Sequence, residues 1–166
     1  GVLALLSLTT LAPALVVAGT AQSAAPSAAR VAEPAAYVPG APIPAEPIIF
    51  NKAPSSLCGP NDTVIIPKSS HSTDWEVELA VVIGRTARRV SEAEAINFVF
   101  GYSVMIDVSA RDNRRAGQWI YSKGQDTYAP FGPCIVTADE IADPQALDLS
   151  LTVNGVTKQS SNTRHM

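Results

Sequence analysis

The segment Trp75 to Gly84 (WEVELAVVIG) constrains the fold more than any other part of this sequence. Its first half alternates, so Trp75, Val77, Leu79 and Val81 fall on one face of a strand and Glu76, Glu78, Ala80 and Val82 on the other. Apolar residues from Leu79 to Ile83 suit a covered, central strand. Side chains at i and i+2 of a strand point the same way, about 7 Å apart. Glu76 and Glu78 can therefore converge on one cation, or else share a solvent-facing surface. Buried without a cation, the two carboxylates would repel and each would carry a desolvation cost.

Further strands and turns follow from local signals. Ile48 to Phe50 and Thr63 to Pro67 read as short strands on either side of a Gly59–Asp62 turn. Ser91 and Glu94 have capping-box spacing and predict a short helix over 91–98. Val99 to Val108 predicts a second long strand, and Ser109 to Gln125 a polar loop with a turn of helix. Thr137 and Glu140 repeat the capping spacing, and Pro144 limits any helix there to about a turn. Leu147, Leu149, Leu151 and Val153 alternate up to Asn154-Gly155, the strongest short-range hairpin signal, with Val156 to Ser160 as the return strand. The fold class is mainly β with short helices.

Residues 1–36 have another character. Val2 to Ala18 is an uncharged apolar run of signal-peptide type, and Ala, Ser and Pro dominate from Ala21 to Ala36. A signal over 1–24, a linker and an irregular gene start all fit that composition. Residues 37–166 form the second unit, and nine of the thirteen prolines lie before residue 61, which predicts extended chain and turns up to Pro60. A net charge of −3 supplies no basic stripe for nucleic acid, and the apolar run is short for a bilayer span. Cys58 and Cys134 lack metal-binding spacing and read as two reduced thiols. That favours a cytoplasmic location, with secretion as the alternative if 1–24 is a signal.

Asp107 ends the apolar stretch Tyr102 to Ile106 and could add a third oxygen to the Glu76/Glu78 pair, or cap the turn that follows. An all-oxygen set suits Mg²⁺, Mn²⁺ or Ca²⁺. Arg111 and Lys123 are candidates for holding substrate anions, against the reading of both as solvated surface charges. His71 is either a general base or a plain loop histidine.

Five segments then carry a resemblance. Pro47–Asp62 (PIIFNKAPSSLCGPND), Asp74–Gly84 (DWEVELAVVIG), Gly101–Asp112 (GYSVMIDVSARD), Trp119–Thr137 (WIYSKGQDTYAPFGPCIVT) and Val153–Met166 (VNGVTKQSSNTRHM) resemble, in order and spacing, the catalytic domain of the fumarylacetoacetate hydrolase family. The resemblance implies a mixed β-sandwich roll, here incomplete, with Glu76, Glu78 and Asp107 as ligands of Mg²⁺ or Mn²⁺. It implies active-site roles for Arg111 and for Lys123, which precedes Asp126-Thr127-Tyr128. The implied chemistry is hydrolysis or lysis of a 2-oxo or 1,3-dioxo acid through a metal-stabilised enolate. The Gly117-Gln118-Trp119 context is similar to that of ureidoglycolate lyases in the family. The implied partners are a small oxo-acid and, in the full-length form, a second copy of the chain.

Three departures qualify it. Arg114 stands where many members have Gln, Val31 to Pro44 holds no matching His, with Glu33 and Tyr37 isolated, and the family continues past the position of Met166. The chain as given is therefore expected to fold poorly alone or to be inactive. An inactive fragment or pseudoenzyme that keeps the carboxylate cluster is the alternative function.

Overall fold

The computed structural model describes residues 2–8, 15–21 and 49–166. The expectation of a mainly β chain with short helices holds. Eleven strands occur in these residues: β1 (Val2–Leu8), β2 (Leu15–Ala21), β3 (Leu57–Cys58), β4 (Thr73–Asp74), β5 (Val77–Ile83), β6 (Val99–Ile106), β7 (Ser109–Ala110), β8 (Ala129–Pro130), β9 (Val136–Thr137), β10 (Asp148–Val153) and β11 (Val156–Asn162). The two α-helices, α1 (Glu92–Ala95) and α2 (Ile120–Lys123), are one turn each.

Two antiparallel sheets carry most of the pairing. One has the order β11-β10-β1-β2 and the other β5-β6-β9. Pairs β3-β8, parallel, and β4-β7, antiparallel, link the segments around the carboxylates. The β10–β11 hairpin turns at Asn154 and Gly155, whose φ values of 52° and 78° are those a tight two-residue hairpin demands. Strand β1 and the first part of β2 lie within the apolar N-terminal run, and β1 pairs with β10 from Ala4↔Val153 to Ser7↔Ser150. The stretch Gln22–Ala36 of the proposed linker falls outside the described residues. No helix among the described residues is long and apolar enough to cross a membrane.

Three local expectations need correction. Thr63–Pro67 forms no strand, because the Ile65 N–H donates to Thr127 Oγ1 at 2.7 Å instead of to a neighbouring strand. Ile49 and Phe50 form none either; Phe50 packs its ring on Trp119, with centroids 5.3 Å apart (Ile48 lies outside the described residues). The long strand starts at Val77 and leaves Trp75 and Glu76 in a break between β4 and β5. The Asp107 N–H bridges that break by donating to the Glu76 carbonyl at 2.7 Å. The Ser91 signal gives α1 followed by a 3-10 turn, Ile96–Phe98, with Ser91 Oγ donating to the Glu94 carboxylate at 2.6 Å.

Val108, Ala110 and Tyr128 form a buried cluster with Ile106 and Val64 against it. A second anchor is Leu151 in β10, with no exposed surface. Leu151→Ala should cost about 2–5 kcal/mol in urea unfolding, since deletion of a fully buried side chain leaves a cavity. Val156→Ala, at a position 56% exposed, should shift the same midpoint far less.

Candidate metal centre and active site

The break before β5 places Glu76 and Glu78 beside the end of β6, where Asp107 leaves the ladder. Glu78 pairs with Met105 in the β5–β6 register, so its side chain shares a sheet face with the residue two before Asp107. Glu76, Glu78 and Asp107 each bring one oxygen within 4.8 Å of the other two. The sequence-based trio thus comes together in space.

Lys123 is the cation at the centre of this group. It closes α2, where Ser122 Oγ donates to the Ala110 carbonyl at 2.8 Å and ties the helix to β7. Gly124 follows because a Cβ there would sit 2.7 Å from the Ile120 carbonyl oxygen. The Lys123 side chain is 2% exposed and its Nζ donates to Asp107 Oδ2 at 2.5 Å, Glu76 Oε2 at 2.6 Å and Ser109 Oγ at 2.9 Å. Arg111 reaches the same cluster from the other side. Its guanidinium holds Asp74 Oδ2 from Nε at 2.8 Å and from Nη2 at 2.5 Å, and also donates to Glu76 Oε1.

The sequence reading did not single out Lys52, which belongs to this site. Its ammonium donates to the carbonyls of Lys123 at 2.7 Å, Tyr128 at 2.9 Å and Val108 at 3.3 Å, and stands 2.6 Å from Asp107 Oδ1. The available signal was its place as the one charge in Pro47–Ser56, an otherwise uncharged run. His71 stays apart from the carboxylates; it is exposed, and its backbone N–H donates to Asp112 at 2.7 Å.

The protonation pattern follows from this wiring. Burial pushes Glu76 up, but the Lys123 ammonium and the Arg111 guanidinium overcome it and hold Glu76 below the usual carboxylate range. Glu78 makes no hydrogen bond or ion pair among the described residues, and burial together with the charges of Asp107 and Glu76 pushes it up to about 7. Burial pulls the Lys52 ammonium down, with Asp107 opposing. Burial also lowers Arg111, but Asp74 and Glu76 more than offset it and leave Arg111 raised.

Asp107 Oδ1 decides whether a cation fits. It is buried, and its one polar neighbour among the described residues is the Lys52 ammonium at 2.6 Å, which also donates to three carbonyls. With one ammonium on it, that oxygen keeps a second lone pair, and beside it Glu78 has no hydrogen bond or ion pair among the described residues, so a hard cation fits the set. Charge agrees. Asp74, Glu76, Glu78 and Asp107 face Lys52, Arg111 and Lys123, four carboxylates against three cations. A divalent ion would turn that excess positive and leave room for one anionic group. An open cavity of about 470 Å³ leads in, lined by Phe50, Lys52, Glu78, Met105 and Asp107 among others.

Comparison with known proteins places this arrangement. A family profile for the fumarylacetoacetate (FAA) hydrolase C-terminal domain matches residues 16–166. A curated "Putative hydrolase" from Burkholderia ambifaria is 55% identical over 129 residues, covering 76% of this chain and 46% of that protein. The chain thus spans about half the length of the curated relatives it matches. The structure of 2-hydroxyhepta-2,4-diene-1,7-dioate isomerase from Mycobacterium marinum superimposes with a TM-score of 0.68 at 43% identity, covering 73% of this chain and 47% of that one. Maleylpyruvate hydrolase from Sphingobium sp. SYK-6, in complex with manganese (II) ion and pyruvate, gives 0.59 at 38% identity, covering 66% of this chain and 40% of that one. With a family profile matched over most of its length, and a fold shared with solved members, this chain belongs to the fumarylacetoacetate hydrolase family.

Proposed function

We propose that this chain carries the metal-binding half of a divalent-metal-dependent hydrolase or lyase that acts on a 2-oxo or 1,3-dioxo acid. The observation that carries the reading is the carboxylate trio itself, with one oxygen each of Glu76, Glu78 and Asp107 within 4.8 Å of the other two. Glu76, Glu78 and Asp107 would hold Mg²⁺ or Mn²⁺, with Ca²⁺ a further candidate for an all-oxygen set. The bound ion supplies Lewis acidity that polarises the oxo group of a chelating acid. The manganese and pyruvate in the maleylpyruvate hydrolase structure support both the ion and the class of acid.

The chain's own residues do the rest. Lys123 fixes Glu76 and Asp107 and puts a buried positive charge where negative charge would develop on the substrate. Arg111, anchored by Asp74, orients Glu76 from its other oxygen. Lys52 closes the inner wall and holds Asp107 from the side away from Lys123.

The test uses the full chain with Mn²⁺ and acetylpyruvate, a 2,4-dioxo acid whose hydrolysis gives pyruvate and acetate. Decay of the enol absorbance that needs Mn²⁺ and stops on chelation is the expected result. Binding of pyruvate that depends on Mn²⁺, without turnover, would support the alternative of a silent protein that keeps the carboxylate cradle. No metal-dependent binding of either acid would defeat the oxo-acid reading.

A further inference from the structure

Of the five segments that resemble the family, Val153–Met166 supplies no side chain to the carboxylate trio or to the cations that face it. Gln159, in β11, reaches the trio through the backbone instead. Its side-chain Oε1 accepts the Val77 N–H at 2.8 Å, across 82 residues of sequence. Val77 is the residue between Glu76 and Glu78.

The peptide unit that joins Glu76 to Val77 is trans, since the cis bond among the described residues is Gly132–Pro133. In a trans unit the carbonyl and the N–H point in opposite directions. The Glu76 carbonyl faces β6 and takes the Asp107 N–H at 2.7 Å. The Val77 N–H therefore points away from β6, over the outer edge of the sheet, because β5 is an end strand of the order β5-β6-β9. Gln159 stands there in place of a neighbouring strand. One peptide plane is thus held at both ends, by the main chain of Asp107 and by Gln159. Glu76 and Glu78 leave the backbone on either side of that plane, so its tilt sets how they aim at a shared ion.

The β10–β11 hairpin is shaped to deliver this amide. Its register passes from Leu151↔Gln159 to Thr152↔Thr157, with Lys158 inserted as a bulge. A bulge bends its strand and re-aims the side chain beside it. Leu151, directly opposite Gln159, has no exposed surface, so packing fixes the base from which Gln159 reaches. From this geometry we infer that Gln159 is a positioning residue of the metal centre, which sets the aim of Glu76 and Glu78 by holding the peptide plane between Glu76 and Val77. The inference rests on the metal reading proposed above. A carboxamide suits the task because it offers an acceptor oxygen and adds no charge to the four carboxylates nearby.

Two measurements on the full chain test it: calorimetric titration with Mn²⁺, and hydrogen exchange of the Val77 amide read by NMR in the metal-free protein. In the wild type the Val77 amide should be protected. Gln159→Leu should lose that protection and bind Mn²⁺ about tenfold more weakly or worse, the usual cost of removing a group that orients a ligand. Gln159→Asn, one carbon too short to reach, should behave alike, whereas Gln159→Glu keeps an acceptor at the same reach and should restore most of the affinity. Leu147→Ala, which removes a buried side chain just before β10, should lose stability but keep its Mn²⁺ affinity. Wild-type affinity in Gln159→Leu or Gln159→Asn overturns the inference. So does a loss in Gln159→Glu or in Leu147→Ala as large as that in Gln159→Leu, which would make Gln159 a general structural support. A freely exchanging Val77 amide in the wild type overturns it without any substitution, so the inference stays falsifiable even where Gln159→Leu does not fold. Failure of the wild type to bind Mn²⁺ would overturn the metal reading and this inference with it, and is recognised before any variant is made.

Discussion

Replacing Glu78 by glutamine will lower Mn²⁺ affinity by on the order of 100-fold or more, since even a residue supporting a ligand from outside costs 10–100-fold. The same change will make the metal-free protein more stable at pH 8. Both effects come from one cause. Without an ion, Glu78 has no partner among the described residues and is pushed from 4.5 up to about 7 by burial and by Asp107 and Glu76. A carboxyl raised in the folded state binds its proton more tightly there than in the unfolded chain. Its contribution is present below pH 4.5 and is lost as pH rises through about 7. Thermal melts of the metal-free wild type should therefore fall relative to Glu78→Gln between pH 5 and pH 8. Mn²⁺ must displace the Glu78 proton, so its affinity for the wild type should rise over the same interval. Added Mn²⁺ should raise the melting temperature of the wild type most at pH 8 and leave that of the variant nearly unchanged. Equal Mn²⁺ affinity in the two proteins would remove Glu78 from the ligand set.

How much of this site the sequence disclosed depends on how local each signal is. The Glu76/Glu78 pair is visible because strand alternation is a property of adjacent residues, and the Asn154-Gly155 hairpin is visible for the same reason. The break before β5 is not. Alternation continues through Trp75 and Glu76, while the ladder starts only at Val77, because β4 has already paired with β7. Lys52 is hidden by distance along the chain. Its carbonyl partners are 56, 71 and 76 residues away, and no pattern around Asn51-Lys52 encodes them. Arg111 is a similar case. Its charge and place suggest a grip on substrate, whereas the folded chain brings Asp74, 37 residues back, against it. Thr63–Pro67 has strand composition, yet a threonine hydroxyl 62 residues away takes the Ile65 amide. Resemblance to the family supplied what local patterns could not, namely that Asp107 joins the glutamates.

Lys123→Met should destabilise the metal-free protein by about 3–5 kcal/mol in urea unfolding at pH 8, the cost of removing one partner from a buried ion-pair cluster. The Lys123 side chain is 2% exposed and Asp107 is 1% exposed, so water cannot replace the ammonium that now separates Asp107 from Glu76. Methionine fills a similar volume, which isolates charge from packing. Two further measurements distinguish this from a simple cavity. The penalty should shrink as pH falls, because the Lys123 ammonium helps to hold the protons off Glu76 and Glu78, and both take them up more readily once it is gone. Mn²⁺ should recover part of the loss, since the ion restores positive charge among the same oxygens. Lys52→Met should cost less than Lys123→Met. Asp107 would keep its Lys123 bond, and the three carbonyls released are neutral acceptors, not charges. An unchanged midpoint for Lys123→Met, or a loss independent of both pH and metal, would mean that the ammonium does not compensate these carboxylates. In that case the charge balance that leaves room for a divalent ion and one substrate anion would have to be redrawn.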